Sequence, residues 1–158
     1  MDLDQLDRDI AEVELQERVL VFPKFAPRDA LELGLQIIAL ATAGGVGVAI
    51  DIECGGQCLF HHAMAGTTSE HDSWIRRKRN TMRLTGTSSL QVFLRLARAG
   101  SNMAASYGVD PAEHAPGGGG FPIRVRGAGI VGYVVVSGLP HRDDHALVIG
   151  ALRAFIPT

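Results

Sequence analysis

Six histidines, two cysteines and a run of cations are the residues of this sequence best suited to chemistry. Neutral imidazole is the commonest nitrogen ligand of metals and haem iron, which puts the histidines first. His61 and His62 are neighbours in an expected strand, so their side chains take opposite faces and do not chelate one ion together. His141 and His145 are four apart near the last expected helix and can share a face, but spacing places no third ligand beside them. His62 and Asp51, diagonal across an expected hairpin, form a candidate oriented base. Cys54 and Cys58 flank the turn at Gly55-Gly56. A two-residue turn sets Cys54 opposite Gln57 and Cys58 opposite Glu53, whereas a three-residue turn sets the thiols opposite each other. Two cysteines are too few for a disulfide scaffold or a four-ligand zinc site, so free thiols are expected.

Arg76, Arg77, Lys78, Arg79 and Arg83 put five of the 15 cations into one short stretch. A helix spreads them in several directions with no aromatic stacking platform, so an ion-paired face matched by the acidic first helix, within or between subunits, is expected, not a nucleic-acid surface. Within the run, Arg77 and Lys78 are candidates to hold carboxylates. Gly117 to Gly120 allow close backbone approach to an anion or a planar ligand, or form a mobile loop tip. Gly127-Ala128-Gly129-Ile130-Val131-Gly132 has the letters of a dinucleotide fingerprint. It runs into the strand residues Tyr133 to Val136 and lacks the helix that would hold a pyrophosphate, so it reads as a hairpin turn. No haem-attachment, zinc-protease or nucleophile-elbow motif is present.

These residues need elements to position them. Leu3, Leu6, Ile10 and Val13 recur at spacings of three and four among seven acids, predicting an amphipathic helix over residues 1 to 17. Arg18 to Phe22 reads as a first strand stopped by Pro23. Pro27 to Ala43 carries two apolar stripes, Leu31-Leu35-Ile38 and Leu33-Ile37-Leu40, and predicts a helix buried against more than one neighbour. Val46 to Glu53 and Gln57 to Ala63 form a hairpin. A helix opens near Ser69 and breaks at Gly86, and another follows with Leu90, Phe93, Leu94 and Ala97 on its core face. A second hairpin joins Phe121–Arg126 to Ile130–Val136. A final helix from Pro140 to Phe155 has Asp143 and Asp144 at its electropositive start. Five strands and about four helices give an α+β class with helices covering a five-stranded sheet.

The chain has 158 residues, 46% hydrophobic and 20% charged, with a net charge of −2, and one domain over residues 1–158 is expected. A charge so close to zero supplies no field to draw the chain to nucleic acid or an anionic membrane. No apolar run approaches the roughly 18 residues a bilayer requires. The acidic amino terminus is unlike a secretory signal, and a cytoplasmic location is expected.

Val48 to Gly56, Trp74 to Thr81, Gly119-Gly120-Phe121-Pro122-Ile123, Gly129-Ile130-Val131-Gly132 and Ser137-Gly138-Leu139-Pro140 with Asp144-His145 together resemble the haem-degrading-domain family, also called GlcG/HbpS-like, and within it a stand-alone cytosolic subgroup of uncharacterised proteins. The resemblance implies a profilin-like three-layer α/β/α sandwich with a five-stranded antiparallel sheet, symmetric homo-oligomers and, in some relatives, haem binding or degradation. It leads to an expected oligomeric domain that binds a tetrapyrrole or other small anionic ligand, haem being the candidate cofactor. The candidate site residues are His71, Trp74, Arg77, Lys78, Gly119, Gly120, Phe121, Ser137 and His145. Trp74 and Phe121 would give apolar contact, Arg77 and Lys78 would hold carboxylates, and His71 or His145 would approach a metal. The alternative is a non-enzymatic oligomeric adaptor whose acidic and basic helices meet protein partners.

Overall fold

The computed structural model describes residues 1–157. The elements in chain order are α1 Leu3–Val19, α2 Pro27–Ala43, β1 Ala49–Cys54, β2 Gln57–Ala63, α3 Ser69–Thr85, α4 Ser89–Ala99, α5 Met103–Tyr107, β3 Gly120–Val125, β4 Gly129–Ser137 and α6 His141–Phe155. The strands form one antiparallel sheet in the order β2-β1-β4-β3. Helices pack on both of its faces, giving the three layers of an α/β/α sandwich.

Period-two alternation sorts the two cores. Ile50 and Ile52 of β1 and Val134 and Val136 of β4 join Leu33 and Ile37 of α2 and Val148 and Leu152 of α6 in the larger cluster. Ala49 and Val135, one residue out of phase, meet Ile75 and Met82 of α3 on the opposite face. Because β1 and β4 are central and covered on both sides, nearly all of β1 is buried, including its polar residues Asp51 and Glu53. A smaller cluster of Leu6, Val13, Leu90 and Leu94 fastens α1 to α4.

The expected fifth strand is reduced to one contact. Helix α1 continues through Val19, and only Phe22 bridges to Val125, in parallel, through its N–H to Arg124 O at 2.8 Å and its carbonyl from Arg126 N at 2.9 Å. Pro23 has no N–H to extend the ladder, so the sheet has four strands with a single-residue bridge at one edge. In α2 the Leu33 and Ile37 stripe is buried, whereas Leu31 and Leu35 of the other expected stripe are 44% and 53% exposed. The first hairpin takes the two-residue turn, pairing Cys54 with Gln57 and Glu53 with Cys58, and both thiols are free. His61, directly across from Asp51, is the histidine that bonds it, Nδ1 to Oδ2 at 3.0 Å; the expected His62 lies opposite Ile50.

The glycine run is a built part of the interior, not a mobile loop tip. Gly117 to Gly120 are buried. Gly117 N donates to Ser89 O at 3.1 Å, Gly118 N to His141 Nδ1 at 3.0 Å and Gly120 N to Ser89 Oγ at 2.9 Å. A Cβ on Gly118 would fall 2.1 Å from His141 O. At Gly119, φ is +124° and a Cβ would fall 2.4 Å from Val136 O, so both the conformation and the space demand glycine. Short helix α5, which has no counterpart in the expected elements, lies within the segment leading to this run.

The ion pairing also departs from expectation. The acids of α1 do not neutralise α3: Glu14 pairs with Arg95, Asp7 with Arg98 and Asp9 with Arg142. Four of the five clustered cations of α3 are met instead by Glu113, Asp144, Asp51 and Glu53, all from other parts of the chain, and Arg77 bonds the Pro111 carbonyl.

Candidate functional site

A cleft of about 410 Å³ opens where α3, the start of α6, the end of β4 and the glycine run converge. Its size lies at the low end of the range for small-molecule sites. Lys78 and Asp144 form its charged floor.

Lys78 sits on the Ile75–Lys78–Met82 stripe of α3, and Asp144 on the Asp144–Val148–Leu152 stripe of α6. Helical periodicity therefore turns both charges inward. They are 4% and 1% exposed. Lys78 Nζ lies 3.4 Å from Asp144 Oδ2 and 3.3 Å from Val136 O. Asp144 Oδ1 accepts the N–H of Leu139 at 3.0 Å. Burial pulls the lysine below its ordinary pKa against the pull of Asp144, and pushes Asp144 above the usual carboxylate range against Lys78 and the backbone donors of Leu139 and Gly138. An ammonium has three protons and two protein acceptors are in reach, which leaves one N–H for a ligand.

Two histidines line the same cleft, His71 in the first turn of α3 and His141 at the start of α6. His71 Nδ1 accepts the N–H of Thr68 at 3.0 Å, closing a capping box. His141 Nδ1 accepts the N–H of Gly118 at 3.0 Å. A nitrogen that accepts an N–H carries no proton, so in the neutral ring the proton is on Nε2, and both histidines are left as Nε2–H donors. Burial, followed by the nearby Arg142 and Lys78, holds His141 below the ordinary imidazole pKa and favours that neutral form. Ser137 also lines the cleft. The start of α6, whose N-cap Pro140 supplies no side-chain bond, adds the positive end of a helix. The arrangement sets N–H and O–H donors around the Lys78–Asp144 pair, with Glu70 the one further acid in the lining, and the donors suit a carboxylate or other oxyanion.

The structure thus brings together four of the expected site residues, His71, Trp74, Lys78 and Ser137. Gly119 and Gly120 lie behind the floor, where a Cβ on Gly119 would fall 2.8 Å from Lys78 Nζ and one on Gly120 would fall 2.6 Å from Met82 Cε. Phe121 is displaced from the site: it is 1% exposed within the main core, facing away from the cleft because strand alternation sends it there. Arg77 stacks over the ring of Trp74, 4.5 Å from its centroid, and donates to Pro111 O at 2.9 Å on the far side of Trp74 from Lys78. His145 turns away from His141 and bonds Gln16 Oε1 through Nε2 at 2.7 Å, beside a separate cleft of about 310 Å³ against α1.

Glu70, Phe93, Pro116, Gly117, Gly138, Leu139, His141 and Asp144 complete the cleft; the sequence points to Gly117 and His141 for ligand contact, while the buried Asp144 and the donor role of His141 were missed. A signal for Asp144 existed, because a lysine and an aspartate each placed on an apolar helical stripe must find one another. None existed for His141, whose role depends on the path of the glycine run. Among the described residues no group of three or more His, Cys, Asp or Glu side chains could hold a metal ion, and no helix is long and apolar enough to cross a membrane.

Comparison with known proteins gives consistent relationships. The family described as "Haem degrading protein HbpS-like" matches residues 25–153. A UPF0303 protein of Burkholderia vietnamiensis is 45% identical over 146 residues, 92% of this chain and 88% of the relative. The crystal structure of the Ybr137w protein superposes with a TM-score of 0.86 at 29% identity, covering 98% of this chain and 97% of the other. The structure titled PduOC:Heme Complex shares the fold, with a TM-score of 0.70 at 17% identity over 82% of this chain and 94% of the other.

Proposed function

We propose, from the premise that this chain belongs to the HbpS-like family, that it binds a small carboxylate-bearing ligand in the cleft floored by Lys78 and Asp144. The observation that carries this reading is the pair of histidines with both Nδ1 atoms committed to backbone N–H groups, which turns His71 and His141 into donors beside the free N–H of Lys78. A tetrapyrrole is the candidate suggested by relatives, and its propionates have the chemistry these donors take.

The same geometry decides how haem fits. A histidine that ligates iron through Nε2 normally donates its Nδ1–H to an acceptor, leaving Nε2 a free lone pair. His71 and His141 are arranged the opposite way, and the unpartnered Nδ1 of His145 is buried away from this cleft. These residues fit the carboxylates of a tetrapyrrole and do not fit its iron, so no step is routed through the metal. The adaptor alternative draws less support, because four of the five clustered cations, Arg76, Lys78, Arg79 and Arg83, pair with acids of the same chain. Family membership further leads us to expect a homo-oligomer, which native mass spectrometry would detect as a subunit multiple.

Parallel titrations with haem and metal-free protoporphyrin test the reading. Comparable affinities are expected, together with loss of about tenfold or more for both in a His71→Phe/His141→Phe variant, as two charge-accepting donors are removed. A haem-specific Soret shift abolished by either single histidine substitution, with no protoporphyrin binding, would overturn it.

A further inference from the structure

On the other side of Trp74 and Phe93 lies a second, larger cleft of about 640 Å³, lined by Leu96, Ala97, Met103 and Ala104 among others. The two clefts share Trp74, Phe93 and Pro116, so a donor-rich chamber and an apolar one adjoin along these residues. Trp74 is 38% exposed, unusual for the chain's only tryptophan, and its ring is held by the Arg77 guanidinium 4.5 Å from the centroid. Arg77 is in turn fixed to Pro111 O. Phe93 is held from the other side, its ring centroid 4.5 Å from that of His141. Both aromatic rings are therefore positioned before any ligand arrives, which lowers the ordering cost of binding.

We propose that the two clefts form one bipartite site for an amphipathic carboxylate, with the carboxylate at Lys78, His71 and His141 and a flat apolar body across Trp74 and Phe93 in the second cleft. This rests on the reading of the polar cleft given above and names the class of ligand it takes. The donors select the end: Lys78 Nζ and the two Nε2–H groups are on the polar side, beside Asp144 and Glu70, while the apolar chamber offers a headgroup only Arg77, bonded to Pro111 O, and the amino terminus of the 85% exposed Met1. The shape argument selects the body, because Phe93, Pro116 and the Trp74 ring, one face of which lies under Arg77, present fixed flat surfaces that favour a planar partner. A ligand with only a carboxylate would use half the site, and an uncharged aryl group would leave the polar donors unpaired.

Titration of the full chain with 2-naphthoate, 2-naphthamide and acetate, followed by calorimetry and by NMR of the histidine rings, tests this. Naphthoate is expected to bind about tenfold or more tighter than either of the others, since only it fills both chambers. Ala104→Trp, and independently His114→Trp, place bulk in the apolar cleft without touching the polar one. Each should weaken naphthoate about tenfold or more and leave acetate-induced shifts at His71 and His141 unchanged. Naphthoate no tighter than acetate, with both lost in His71→Phe/His141→Phe, would sink the bipartite site while the oxyanion reading stands. No binding of either carboxylate would sink both. A change of subunit number in the tryptophan variants, with naphthoate affinity intact, would overturn the proposal by assigning the apolar cleft to a second copy of the chain.

Discussion

His145 is 5% exposed, donates its Nε2–H to Gln16 Oε1, and has a buried Nδ1 with no partner among the described residues. Burial above all, with smaller contributions from Arg142, His141 and Arg153, lowers its pKa from 6.5 to about 4. The unfolded chain therefore takes up the proton first as pH falls, and the folded state loses stability between pH 6.5 and about 4. The loss from this one group is on the order of 3 kcal/mol. Asp144 and Glu17, both raised by burial, oppose it over the acidic range. The stability difference between the natural chain and His145→Gln, measured by urea unfolding from pH 7 to pH 4, isolates the histidine: it should move in favour of the glutamine variant as pH falls. A constant difference would show that His145 is protonated without cost. The Lys78–Asp144 pair behaves differently, because each ion has the other. Lys78→Met leaves Asp144 buried and unpaired and should cost roughly 3–5 kcal/mol, while Lys78→Met combined with Asp144→Leu should recover most of it.

At the scale of elements, the site depends on how closely the glycine run can lie against the starts of other elements. Gly118 fits under the first turn of α6 and Gly119 under the end of β4, where any Cβ would meet backbone oxygen. These contacts deliver the Gly118 N–H that fixes the tautomer of His141, and they leave the space that Lys78 Nζ occupies. Gly119→Ala combines an unfavourable φ with a steric clash and should cost roughly 2–4 kcal/mol. It should also weaken carboxylate binding, because relief of the clash moves Lys78 or β4. Unchanged denaturant midpoint and ligand affinity would show that the run has slack. The helical faces of α3 and α6 were readable from periodicity, and so was the break at Gly86, which caps α3 in the left-handed region. The burial of Gly117 to Gly120 was not, since a glycine run has the same local preferences in a loop tip and in a packed interior.

Across the whole molecule, the acidic and basic residues nearly cancel to −2, and the pairing network shows how they are distributed. Helix α1 is tied to α4 and α6 by three ion pairs and by the Leu6, Val13, Leu90 and Leu94 cluster, while Glu17 accepts the N–H of Ser88 at the start of α4. Surface ion pairs contribute little individually, so the apolar cluster carries most of the attachment. Removing residues 1–17 exposes Leu90 and Leu94 and should lower Tm by roughly 10 °C or more, with a gain in apolar-dye binding. An unchanged Tm would make α1 an appended arm instead of part of the packed structure.

The sequence by itself determined the long helices and both hairpins to within a few residues and the α+β layering, because periodicity, proline and glycine act locally, while the turn register at Gly55-Gly56 and the short α5 were left to the structure. It singled out Lys78 as a carboxylate-holding cation and set Asp144 at a helix start, and its motifs carried the family. Only the tertiary structure decided that those two charges meet, that Phe121 faces the core, that His61 instead of His62 reaches Asp51, and that the first strand shrinks to one bridge. These outcomes depend on residues distant in the chain competing for the same space and the same hydrogen-bond partners. The cleft is the sharpest case, since its donors are set by which backbone N–H reaches each histidine, and chain path alone fixes that.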